Sequence, residues 1–523
     1  MKKVLQTAFV ALLCLSTSIQ VQAQRYLTEI FPSASVTTNV VYGNNITILP
    51  VLAGGQPAAE DLKMDVYQPD GIVDPLTERP LIILMHTGSF LPPIINGQPT
   101  GGRTDSTIVE MCKRFARRGY VAAAMSYRLG WNPQATGAAG QDIRTGTLLQ
   151  AVYRAILDAK ACVRYFRAEA DTGGNSWGID TSKIILGGVG TGGYIALAYA
   201  TLDDPAEISL PKFLANTTLP APYSFTAGSS YVDQSILGDF EGAGGNPLAN
   251  NPNNHQGYNS KVQFVFNMGG AMGDTSWVEA GDAPMVAFHV VGDPFAPYGI
   301  GNVIVPTTGQ FVVEVGGSHE AIRLANELGN NSCFASAGFT DQLTTYANTV
   351  NDGYEGLYPF YTNPSLQAGP WEWYDSTTTY FIGMNFMGKT QGYMDSLWAN
   401  SLFTNPDMSK AKGMAYIDTV MGYLNPRMVY CLSLATSINE TPVLSEGISF
   451  VPNPAADRTI IRTENELELR SVTVMDITGK EIKRYSSINN KSFTLEREDL
   501  DAGIYLISVS TDKGTAVSRL IFR

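Results

Sequence analysis

Ile184-Ile185-Leu186-Gly187-Gly188-Val189-Gly190-Thr191-Gly192-Gly193-Tyr194-Ile195-Ala196-Leu197-Ala198 is the stretch on which the reading of this chain turns. It opens as a short apolar run with no polar alternation, the pattern of a strand buried on both faces. Five glycines then crowd around a turn, and Tyr194 to Ala198 continue as an apolar helical segment. Gly188 and Gly192 stand where strand and helix backbones must approach closely, and Gly190 stands at the apex. An apex this sharp costs a non-glycine residue about 1–3 kcal/mol in backbone strain, which glycine avoids.

In the G-x-S-x-G form of this strand–turn–helix device the middle residue is a serine whose hydroxyl is presented above the sheet. Here the flanking glycines are present and Gly190 holds the serine's place. A register centred on Thr191 would put Val189 at a close-approach position, which a β-branched side chain fits badly. Glycine-rich turns of this kind also bind phosphate. No Gly-Lys-Ser/Thr follows, and the strand reads as a central one rather than a first one.

Working outward, residues 62–67 alternate as a half-buried strand, and residues 80–85 form a continuous apolar run ending in His86-Thr87-Gly88-Ser89-Phe90. A helix is expected over 107–118, a buried strand over 120–127, and a long helix over 144–170. Beyond the glycine turn, strands are expected over 261–268, over 284–291 ending Gly292-Asp293, and over 310–315 ending Gly316-Gly317-Ser318-His319. A helix over 320–328 follows. Strand alternating with helix predicts an α/β fold with a mostly parallel, doubly wound sheet over residues 24–436. Residues 203–260, rich in Pro, Gly and Asn, read as a candidate cap. Residues 333–408 read as an irregular insertion before a closing helix over 409–424.

Composition bounds the function. A chain of 523 residues exceeds one ordinary core, and 44% hydrophobic residues make it globular. A net charge of −13 argues against nucleic acid, because no basic surface is present to displace counterions. Residues 1–23 carry Lys2 and Lys3, an apolar core and a small-residue end, the form of a secretory signal peptide. Cys14 has no lipoprotein context, and no later run is long enough to span a bilayer. The remaining cysteines are Cys112, Cys162, Cys333 and Cys431. Cys112 and Cys162 fall on helices expected to cover opposite sheet faces, so Cys333 with Cys431 is the expected disulfide. Four scattered histidines and no Cys-x-x-Cys give no metal site, and no cofactor is expected.

After a linker at 437–444 the texture changes. Residues 445–523 carry short alternating strands separated by turns and predict an all-β sandwich.

The region from the oxyanion-loop-like His86-Thr87-Gly88-Ser89-Phe90 through Tyr127-Arg128-Leu129 and Asp158 resembles the carboxylesterase and lipase branch of the α/β-hydrolase fold. That branch carries H-G-G-G-F, so Thr87 and Ser89 are substitutions into it. The resemblance implies Asp293 as the acid, His319 as the histidine and Gly190 at the nucleophile position. Oxyanion donors are implied around Gly88 and Ser89 and from Thr191. His86 resembles a structural histidine, His289 reads as core, and His255 lies in an Asn-rich loop. The implied activity is carboxylic ester hydrolysis on a small ester or carbohydrate ester. It would proceed through Thr191 or a water activated by His319, since the serine is absent. The alternatives are a degenerate hydrolase fold that binds a ligand or partner, and a surface structural module. Pro452-Asn453-Pro454-Ala455, Asp476-Ile477-Thr478-Gly479-Lys480 and Ala502-Gly503-Ile504-Tyr505 resemble the C-terminal sorting domain of type IX secretion cargo. That resemblance implies the type IX machinery as a partner, removal of the sorting domain, and a secreted or cell-surface location.

Overall fold

The structure, a computed structural model, describes residues 25–52, 54–74, 76–305, 308–434, 448–463, 468–476, 481–511 and 515–523. The expected leader at 1–23, the linker at 437–444 and the turn at 477–480 lie outside the described residues. Two compact units divide the chain near residue 435.

The first unit carries β1 (Ser33–Thr47), β2 (Ala58–Asp70), β3 (Arg79–Met85), β4 (Val121–Met125), β5 (Ile179–Val189), β6 (Phe264–Met268), β7 (Ala271–Met272), β8 (Met285–Val290), β9 (Ile300–Ile304), β10 (Phe311–Gly317) and β11 (Leu357–Phe360). Eight of them form one sheet in the order β1-β2-β4-β3-β5-β6-β8-β11. The pairs β1/β2 and β2/β4 are antiparallel, and every pair from β4 to β11 is parallel. This is an α/β-hydrolase fold, with β5 at the centre. β4, β6 and β8 are buried along their whole length, which is why they read as continuous apolar runs.

Successive residues alternate between the two faces. Leu81, Ile83, Met85, Ile184 and Leu186 pack with the helices Gly140–Thr172, Thr191–Thr201 and Ser318–Glu327. Ile82, Leu84 and Ile185 pack with Ser106–Arg117 and Lys410–Cys431 on the other side. Cys162 and Cys112 are buried in these opposite layers as free thiols, and Cys333 is bonded to Cys431 with Cα atoms 5.4 Å apart.

Three expectations change. The 310–315 strand is real, as β10, yet it pairs antiparallel with β7 and β9 in a separate three-stranded sheet. Its neighbour in the chain, β9, is close enough to form a hairpin, and that local pairing takes precedence over the parallel sheet. The stretch read as an irregular insertion, 333–408, supplies β11, the edge strand of the main sheet, and the helices Ser376–Phe386 and Gln391–Thr404. Four residues are too few to show a period, and Ser376–Phe386 is apolar around much of its circumference. The closing helix runs on through Pro426 to Cys431. The candidate cap, 203–260, lies along the Gly140–Thr172 helix: Phe225 and Tyr231 pack at Gly146, and Asn254 bonds the Arg164 side chain and β1.

The second unit has a three-stranded sheet, β12 (Ile448–Val451), β13 (Arg458–Thr463) and β16 (Ser492–Glu496), and a four-stranded sheet. The latter consists of β14 (Leu469–Met475), β15 (Glu481–Asn490), β17 (Gly503–Thr511) and β18 (Thr515–Phe522), all pairs antiparallel. Ile461, Val472, Val474, Leu495, Ile507 and Leu520 form its core.

Candidate functional site

β5 ends at Val189 and the helix starts at Thr191, so one residue makes the whole turn. Gly190 has φ 54° and ψ −117°, its N–H donates to Met268 O at 2.8 Å, and its carbonyl accepts from Gly193 N. A Cβ on Gly188 would land on the Gly192 carbonyl, and one on Gly192 would land on Met85 O. Both positions admit only glycine, so the turn has the close-packed geometry its sequence pattern requires.

The space above Gly190 is taken. A Cβ built there would fall far inside contact distance of Thr87 Oγ1 and 3.0 Å from Thr87 Cβ. Thr87 belongs to the loop leaving β3. Thr191 Oγ1 is engaged as well, 3.1 Å from the Tyr127 hydroxyl, which donates to His86 O at 2.8 Å.

The loop 86–90 is held from several sides. His86 stacks on Tyr127 with centroids 4.4 Å apart, and its Nδ1–H donates to Thr87 O at 2.6 Å. Burial lowers this imidazole to about 4, so it is neutral. The Trp131 indole donates to Ser89 O at 2.7 Å. Gly88, Ser89 and Phe90 all have positive φ, two of them non-glycine residues in the left-handed region. Strain of this kind gathers where backbone N–H groups must be aimed.

Asp293 follows β8. Its Oδ1 accepts from the N–H groups of Phe295 and Ala296, at 2.8 and 3.1 Å, and burial pushes the carboxyl up to about 7 against those two bonds. A Cβ on Gly269 would lie 3.6 Å from Asp293 Oδ2 and 3.7 Å from the Trp371 ring. The Trp371 indole nitrogen and the Tyr194 hydroxyl are buried without a hydrogen-bond partner.

His319 keeps other company. Its Nδ1 lies 2.9 Å from Glu320 Oε1 and its Nε2 3.1 Å from Asp352 Oδ2, while the rings of Tyr298 and Tyr354 flank it. Both ring nitrogens are thus occupied by carboxylates other than Asp293. In the parallel sheet the strand after β8 is β11, and residues 361–372 beyond it contain no histidine. That segment brings Trp371 beside Asp293 instead. His289 is fully buried, its Nε2 3.0 Å from Ala296 O and its Nδ1 2.7 Å from Ser318 Oγ, and burial lowers it to about 4. His255 Nε2 lies 3.1 Å from Tyr42 O in the Asn-rich loop.

Two carboxyls the sequence did not single out, Asp105 and Glu372, lie in segments tied together by Thr107 Oγ1, which donates to Trp371 O at 2.8 Å. Burial, reinforced at Glu372 by the Asp105 charge, raises them to about 7 and about 8. Among the described residues no group of His, Cys, Asp and Glu side chains could hold a metal ion, and no helix is long and apolar enough to cross a membrane.

Residues 449–523 match the family model of the secretion system C-terminal sorting domain. The second unit is thus a sorting domain, and the protein is secreted or displayed at the cell surface. No curated protein matches the chain. Solved structures that resemble it include native Thermogutta terrifontis esterase 2, with 17% identity over 70% of this chain and 98% of that one and a TM-score of 0.33. The same esterase phosphorylated by paraoxon gives 18% over 69% and 97%, with a TM-score of 0.33. Its butyrate-bound form gives 17% over 51% and 75%, with a TM-score of 0.29.

Proposed function

We propose that this exported protein retains the frame of an ester hydrolase and uses it to bind rather than to cleave. The observation that carries the reading is Thr87, whose hydroxyl occupies the room a serine at 190 would need. Two further features support it: Asp293 bonds its own turn, and His319 is engaged by Glu320 and Asp352. Without a nucleophile a comparable triad loses on the order of 10⁶ in kcat. Thr191, tied to Tyr127, is a poor substitute.

What survives is the recognition half of the site. Backbone N–H groups around Gly88, Ser89 and Thr191 remain to receive the carbonyl oxygen of a small ester or carbohydrate ester, with Trp371, Tyr194 and Asp293 beside it.

The test is a fluorophosphonate probe on the full chain. Wild type and Gly190→Ser stay unlabelled, and neither hydrolyses p-nitrophenyl acetate above buffer. Thr87→Gly combined with Gly190→Ser makes the room for the hydroxyl. Labelling of wild type at Thr87 or Thr191, or hydrolysis lost in His319→Ala, would overturn the reading.

A further inference from the structure

β9 is the edge of the small sheet β7-β10-β9, and among the described residues no strand pairs with its outer side. It leads from the Asp293 turn toward the strand that ends at His319. Gly317 N–H donates to Gly299 O at 2.8 Å, and His319 N–H to Tyr298 O at 2.9 Å.

The ladder fixes which backbone groups of β9 point outward. Gly299 bonds Gly317, and Val305 N–H donates to Gln310 O at 2.9 Å. In an antiparallel pair such residues alternate, so Gly301 and Val303 also face β10, while Ile300, Asn302 and Ile304 direct their N–H and C=O groups to the open side. The residues across from them agree. The Glu314 carbonyl, opposite Asn302, accepts from Lys212 Nζ at 3.1 Å, and the Phe311 carbonyl, opposite Ile304, accepts from Arg144 Nε at 3.3 Å. Neither is spent on β9.

An open edge invites a further strand, and proteins blunt such edges with bulges, proline, charge or brevity. The main sheet does so: β1 is interrupted by register shifts, and β11 has 4 residues with Pro359 among them. β9 uses none of these devices. The extra residue of its ladder, Val312, lies on β10. Residues 294–313 hold no Asp, Glu, Lys or Arg, in a chain with 35 basic and 48 acidic residues. Ile300 is 65% exposed and Ile304 38%.

The order of these residues selects the occupant. Ile300-Gly301-Asn302-Val303-Ile304 has Ile-x-Asn-x-Ile in both directions. An antiparallel copy centred on Asn302 therefore sets Ile300 against Ile304 of the partner subunit, and Asn302 against its own copy. Each such pair can exchange both outward backbone bonds, with apolar side chains facing apolar ones and amide facing amide. A foreign strand would require no such symmetry.

We propose that β9 is a dimerisation edge, pairing antiparallel with β9 of a second copy of this chain about a two-fold axis at Asn302. The small sheets of the two copies then form one continuous sheet, and the contact closes at the dimer.

Cross-linking of the full chain tests the register. In a hydrogen-bonded antiparallel pair the Cα atoms stand about 5.5 Å apart, within disulfide reach, so Asn302→Cys gives a covalent dimer under mild oxidation. Ile300→Cys does not, because that residue and its own copy lie roughly 14 Å apart along the paired strands. The free thiols Cys112 and Cys162 are buried and do not compete. Sedimentation equilibrium measures the uncross-linked chain. Asn302→Pro removes an N–H that the β9/β10 ladder does not use, and Asn302→Lys sets like charges opposite each other. Each raises the dissociation constant at least about tenfold, while Val73→Lys, at a position 94% exposed elsewhere, leaves it unchanged. Each copy has a net charge of −13, so raising NaCl from about 0.05 M to about 0.5 M tightens the dimer by screening their repulsion. A chain that stays monomeric at about 100 µM overturns the proposal. So does equal cross-linking at 300 and 302, assembly beyond the dimer, a dimer that salt dissolves, or one indifferent to both Asn302 variants.

Discussion

Thr87 and Gly190 are one fact seen from two loops. Gly190→Ser alone forces a side chain against Thr87 and asks a non-glycine residue to hold φ 54° and ψ −117°. The expected loss is about 1–3 kcal/mol in urea denaturation. Adding Thr87→Gly recovers part of it by relieving the clash. Asp293 supplies a pH signature. Its carboxyl is raised to about 7, so the proton is bound more tightly in the folded state. Stability from this group is full below about pH 4 and is lost as pH rises through about 7. Melting temperatures measured across that window fall in wild type and flatten in Asp293→Asn, which keeps the Oδ1 acceptor. Allowing for partial exposure, the difference at the upper end is about 1–2 kcal/mol.

The elbow helix owes its position to missing side chains, and the closing helix to a covalent tie. Gly192→Ala places a methyl group on the Met85 carbonyl, backbone that cannot yield without moving β3. The expected outcome is a loss of more than about 3 kcal/mol, or insoluble protein on expression. The Cys333–Cys431 bond joins residues 98 apart and anchors the end of Lys410–Cys431 to the short helix Ser332–Ala337. A double serine substitution costs about 2–5 kcal/mol by the chain-entropy account, read as a lower melting temperature. Reductant lowers wild type to the same value, since the free thiols Cys112 and Cys162 are buried. Elements whose period is visible, such as Ser106–Arg117, were legible from the residues. β11 and Ser376–Phe386 were not, because four residues show no period and an apolar circumference shows no face.

At the scale of the molecule the chain is an exported α/β unit followed by a sorting unit. A chain ending before residue 449 lacks the domain that directs export, and cell fractionation should find it retained behind the outer membrane. The α/β unit, residues 24–435, has its own two buried layers, and its melting transition should survive that truncation.

Local chemistry alone was enough for the glycine turn, the buried strands around it and the disulfide partners, and the resemblance of three short motifs pointed to the sorting domain. Close backbone packing demands glycine, a two-sided strand demands an apolar run, and both demands are written at neighbouring positions. The partners of Thr87 and His319 were settled only by the tertiary structure. Thr87 meets Gly190 between the loops that leave two adjacent strands, and the His319 ring nitrogens meet Glu320 and Asp352. Which side chains share a space depends on strand order and hairpin pairing, and the spacing of residues along the chain does not encode these.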